Sequence, residues 1–135
     1  MAYNSSIQGA MSAPTRPGVF MTITIYHNPR CSKSRQTLEL LRDRGVEPRI
    51  VEYLDTPPDT VTLERLLDML GLEPRDLMRK KEKEFREHGL ANPELSRKAL
   101  IAAMVAHPKL IERPIVVTDN KAALGRPPEA VLDVL

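Results

Sequence analysis

Cysteine occurs once among the 135 residues, at Cys31. A single thiol excludes an intramolecular disulfide framework. With only three histidines beside it, it also excludes a cysteine-rich structural zinc site, and no metal is expected. A lone thiol is more easily kept reduced in a cytosol than outside the cell, so a cytoplasmic location is expected. No apolar run approaches the roughly 18 residues of a membrane span. A surplus of one charge is missing too: 20 Lys and Arg stand against 18 Asp and Glu, for a net charge of +2. The two signs are interleaved, which gives neither nucleic acid nor a membrane a patch to bind. No internal repeat is visible.

What is present suits one globular domain with its own core. Apolar residues make up 41% of the chain and charged residues 28%. Residues 1–20 stand apart: they are rich in Ser, Pro and small residues, hold no acid, and show neither helical nor strand periodicity. They are expected to be a disordered extension. They contain no continuous apolar stretch after a charged start, so no signal peptide is expected. Met21 opens the expected domain, residues 21–135.

Thr22–Tyr26 is β-branched and aromatic, hence a strand. Asn28-Pro29 breaks it, and the apolar spacing of Thr37, Leu38 and Leu41 predicts a helix over Ser32–Arg44 that Gly45 stops. Pro48–Leu54 reads as a second strand, which makes a βαβ unit with parallel strands. A helical block without strand signal follows at about 59–108. It comprises Thr62–Leu70, ended by Gly71, then Pro74–Lys81, Glu82–His88 and Glu94–Ala106. Ile115–Thr118 and Lys121–Leu124 flank the turn Asp119-Asn120 as a hairpin. Pro127 and Pro128 suit the first turn of a last helix through Leu132. The expected fold is α/β: a thioredoxin-like, mixed four-stranded sheet, β-α-β … β-β-α, with the helical block inserted.

Cys31 falls between the first strand and the first helix. A thiol at a helix N-terminus meets unpaired backbone N–H groups and the positive end of the macrodipole, which favour an anion. Arg30, Lys33 and Arg35 are near in sequence. The thiolate is the nucleophilic form. A polar strand-to-helix turn is a poor place for a core cysteine, so a reactive thiol is expected over a buried, inert one. A C-x-x-C dithiol needs a second cysteine where Ser34 stands, so any disulfide formed at Cys31 must be resolved by an outside thiol. A tyrosine-phosphatase loop needs an arginine where Thr37 stands. His27 either holds a neighbouring group, tunes the thiolate, or is a strand-end histidine bonded to backbone.

The segments Ile25–Arg35 (IYHNPRCSKSR), Tyr53–Pro58 (YLDTPP), Leu77–Lys80 (LMRK), Leu110–Val117 (LIERPIVV) and Gly125–Glu129 (GRPPE) resemble the ArsC family of glutaredoxin-linked arsenate reductases. The resemblance runs from about Thr22 to Leu135. It implies Cys31 as nucleophile and Arg79, Arg113 and Arg126 as the arginines that bind the oxyanion. It further implies His27 beside the catalytic loop, Ser34 and Arg35 in supporting positions, and Pro114 as a cis-proline opposite the active-site turn. The implied reaction reduces arsenate to arsenite, with glutathione and glutaredoxin as reductants and no bound cofactor. Two alternatives stay open: a monothiol thiol-disulfide oxidoreductase of unknown substrate, and a Spx-like RNA polymerase-binding regulator.

Overall fold

The computed structural model describes residues 22–135, so the expected extension at 1–20 lies outside the described residues. One sheet contains β1 (Thr24–His27), β2 (Arg49–Glu52), β3 (Ile115–Val117) and β4 (Ala122–Leu124), in the order β2-β1-β3-β4. β1 and β2 are parallel, with Ile25 opposite Ile50. β3 runs antiparallel to both β1 and β4. The crossover that parallel neighbours require is helix α1 (Ser32–Asp43). The sheet is the mixed, thioredoxin-like one the sequence pattern predicts.

Side-chain alternation gives each face of the sheet its own core. Ile25 and Val116 face one way and pack with Leu41 of α1 and with Val131 and Val134. Ile115 faces the other way and meets Leu63, Leu67, Ile101 and Met104. Those four come from the helical stretch between β2 and β3, which holds α2 (Thr60–Leu70), α3 (Lys83–Glu87) and α4 (Arg97–Ala106). The Asp59 carboxylate caps α2 by accepting from the Thr62 N–H at 2.8 Å. Gly71 ends α2 at φ 68°, the left-handed conformation that glycine enters without a Cβ penalty.

Most element ends shift by one or two residues, and three segments differ further from the sequence expectation. Within Pro74–Lys81 only Pro74–Leu77 is helical, as a 3₁₀ turn. Met78 is extended and forms an antiparallel bridge with Ile111. Around it the Arg79 N–H donates to the Leu110 carbonyl at 2.7 Å, and the Glu112 N–H to the Leu77 carbonyl at 2.8 Å. This pairing is a tertiary contact, which local periodicity cannot register. α4 begins at Arg97 and not at Glu94, because the Ser96 hydroxyl caps it, accepting from the Ala99 N–H. The last segment, Pro128–Val134, is a 3₁₀ helix and not an α-helix.

Candidate active site

Cys31 is the N-cap residue of α1, with extended backbone and no side-chain cap hydrogen bond. Its N–H donates to the Asn28 carbonyl and its own carbonyl accepts from the Arg35 N–H, both at 3.0 Å. The backbone is thereby fixed while the sulfur is left out of the capping. It sits where the helix dipole and unpaired N–H groups favour negative charge.

Ser34 holds the loop from beneath. Its hydroxyl lies 2.6 Å from His27 Nδ1 and accepts from the Asn28 N–H at 3.0 Å. Both Ser34 and His27 are buried. Burial holds the His27 imidazole below the usual histidine range, with the Glu52 carboxylate pulling the other way. His27 therefore meets Ser34, and through it the loop backbone. Arg35 grips the loop from outside, its Nη1 donating to the Pro29 carbonyl at 2.9 Å. Its guanidinium thus braces the backbone of the loop that leads to Cys31.

Cys31 itself is only 9% exposed. The sequence argument set burial against reactivity, and burial is what the fold provides. The surroundings are nevertheless cationic: Arg126 Nη2 lies 3.8 Å from Sγ. Arg126 Nε donates to the Arg113 carbonyl at 2.8 Å and lies 3.6 Å from Glu112 Oε1. The fold aims this arginine through Gly125, whose N–H donates to the Pro114 carbonyl at 2.9 Å. A Cβ on Gly125 would sit 2.5 Å from Thr37 Oγ1 and 2.7 Å from Pro114 Cγ. The peptide bonds before Pro114 and Pro127 are both cis.

The other two arginines stand on either side. Arg79 pairs with Glu82 at 3.1 Å and shares with Arg126 and Glu112 a cleft of about 520 Å³. Arg113 opens instead on a cavity of about 60 Å³, together with Asn28, Tyr53 and Glu82. Its Nε is buried without a hydrogen-bond partner. The Met78–Ile111 bridge is what draws Arg79 towards Glu112 and Arg113.

Sequence reasoning missed Tyr53, Asn28, Glu82 and Glu112 as parts of this site. Their only sequence signal was that Tyr53, Asn28 and Glu112 lie inside stretches that carry the family resemblance. Tyr53 is 1% exposed. Burial pushes its hydroxyl above the usual phenol range; Arg79 opposes that, and the Cys31 and Glu112 charges add to it. Among the described residues no group of three or more His, Cys, Asp or Glu is placed to hold a metal ion. No helix among them is long and apolar enough to cross a membrane.

A cysteine at the head of the helix that follows the first strand, in this mixed sheet, defines a thioredoxin-like thiol protein. The ArsC family model matches residues 26–134, and the chain belongs to the ArsC family. It is 58% identical over 114 residues to the Escherichia coli (strain K12) protein called uncharacterized protein YfgD, covering 84% of this chain and 96% of that one. It is 51% identical over 114 residues to the arsenate reductase of Neisseria meningitidis serogroup B (strain MC58), covering 84% and 97%. The solved structure of an arsenate reductase from Vibrio cholerae superposes with a TM-score of 0.83 at 53% identity, covering 85% of this chain and 98% of that one.

Proposed function

We propose that this chain is an arsenate reductase with Cys31 as its nucleophile and glutathione with glutaredoxin as its source of electrons. The observation that carries the reading is the Arg126 guanidinium 3.8 Å from the Cys31 sulfur at a helix N-terminus, in a chain of the ArsC family. Arsenate is a tetrahedral oxyanion, and bringing it to a thiolate sets two negative charges together. A forked guanidinium offsets that repulsion and clasps oxygens in fixed geometry. In this reading Arg126 does so at the sulfur, and its 3.8 Å approach supports that; Arg79 lines the same cleft and Arg113 the cavity beside Asn28. Helix N–H groups complete the cradle. His27, Ser34 and Arg35 keep the loop in the shape that presents the sulfur.

The chemistry closes with these parts. The sulfur–arsenic bond forms, one arsenic–hydroxyl bond breaks, and the hydroxide leaves with the thiol proton as water. Glutathione sulfur then attacks the Cys31 sulfur. The sulfur–arsenic pair of electrons stays on arsenic, which falls from As(V) to As(III) and departs as arsenite. The two thiols become a mixed disulfide. Glutaredoxin reduces that disulfide, an exchange that needs an outside thiol because position 34 is serine. The enzyme is expected in the cytoplasm, where those thiols are kept reduced.

A coupled assay with arsenate, glutathione, glutaredoxin and NADPH tests the reading. Turnover is expected with the native chain and none with Cys31→Ser. Turnover of a glutathionylated peptide without turnover of arsenate would replace the substrate and keep the thiol chemistry. Co-purification with RNA polymerase and no turnover of either would favour a regulator.

A further inference from the structure

The small cavity behind the catalytic loop is lined by Asn28, Tyr53, Leu54, Glu82, Lys109 and Arg113. Arg113 borders it and has a buried Nε without a partner. An unpaired buried donor destabilises the fold, and an acceptor entering the cavity would remove that cost. At about 60 Å³ the space exceeds what one water needs and suits a compact, oxygen-rich group. Tyr53 borders the same cavity and is almost fully buried. A buried tyrosine hydroxyl ordinarily seeks a partner.

The chemistry of Tyr53 fits an anion as that partner. Asn28 Oδ1 already accepts from the Arg30 N–H at 3.0 Å. Asn28 borders the same cavity as Tyr53. The Tyr53 side chain lines the cavity, so its phenol proton is available to a group bound there. Burial, with the nearby Cys31 and Glu112 charges, keeps the phenol protonated against the pull of Arg79. The group therefore remains a donor throughout the working pH range.

We propose that Tyr53 is a catalytic residue, whose phenol donates a hydrogen bond to an oxygen of the tetrahedral oxyanion in the cavity it shares with Arg113. The inference rests on the arsenate reductase reading above. Tyr53 transfers no proton in it; the thiol proton leaves with the hydroxide as water. Tyr53 and Arg113 take the oxygens on one side of the loop, and Arg126 takes the sulfur side. A donor that strengthens as charge gathers on oxygen acts on the rate more than on ground-state binding.

The test is Tyr53→Phe in the full chain, which keeps the ring and removes the hydroxyl. With arsenate, glutathione and glutaredoxin, kcat is expected to fall about 100-fold, the usual effect of losing one oxyanion donor. The KM for glutathione and the rate of Cys31 alkylation by iodoacetamide should stay as in the native chain. A kcat within twofold of native would overturn the proposal. So would alkylation slowed by the same factor as kcat, since Tyr53 would then act through the thiol. A fluorinated tyrosine at position 53, whose phenol ionises at lower pH, covers the case in which Tyr53→Phe does not fold. It should restore turnover at neutral pH and add an alkaline loss of kcat that the native chain, whose phenol burial keeps protonated, does not show; a profile like the native one counts against the proposal. If the native chain shows no arsenate turnover above Cys31→Ser, the substrate reading fails and this inference falls with it, and that control tells the two failures apart.

Discussion

At the scale of single residues the site depends on a neutral imidazole. His27 touches the buried Ser34 hydroxyl, and burial lowers its pKa. The unfolded chain takes up a proton at His27 near the free value of about 6.5, while the folded chain resists it to lower pH. Between those two points the unfolded state binds more protons, so stability falls as pH falls. The contribution is complete above about pH 6.5 and is lost below it. Urea titrations are expected to show the unfolding free energy dropping from about pH 7.5 to about pH 5.5, with a shallower drop in His27→Gln. Parallel slopes in the two proteins would remove His27 as the source.

At the scale of elements, one close approach fixes the angle from which Arg126 meets the sulfur. Gly125 follows β4 and lies against Thr37 of α1 and the Pro114 ring, with no room for a Cβ. Gly125→Ala must push these apart and is expected to cost about 1–3 kcal/mol, as overpacking does. Guanidinium chloride unfolding measures it, and a neutral result would show that the contact relaxes freely. The elements most legible in the sequence were those whose signal is local. β1 and β3 announce themselves by β-branched runs, and α2 by four leucines at helical spacing before Gly71. The extended stretch at Met78 was not legible, because it exists only through its partner Ile111. The site divides in the same way. Cys31 could be placed from its position between strand and helix. Arg79, Arg113 and Arg126 were chosen by family resemblance, since nothing local separates them from the other arginines. Tyr53 had no mark of a site role beyond opening the Tyr53–Pro58 stretch; what singles it out is the cavity it shares with Asn28 and Arg113.

At the scale of the molecule, two cores share one thin sheet. Ile115 and Val116 are adjacent in β3, and each anchors the core on a different face. Loss of packing on one face therefore loosens the strand that the other face needs. Leu67 of α2 is fully buried in the helical-block core. Leu67→Ala is expected to cost about 2–5 kcal/mol. Far-UV circular dichroism and Cys31 labelling should report one shared, earlier transition, although Cys31 lies at the head of α1. Two separate transitions would show that the faces fold independently.

The sulfur and the guanidinium beside it are 95 positions apart in the chain. Synthesis delivers the N-terminal parts first. The loop that presents the thiol therefore leaves the ribosome well before the strand that carries Arg126 in its wake. Until β3 and β4 have paired, the growing chain bears Cys31 without the guanidinium that stands beside it in the fold. A prematurely ended chain would hold the same cysteine and lack that cation. On the proposed function, reactivity towards an oxyanion begins only once that cation is in place.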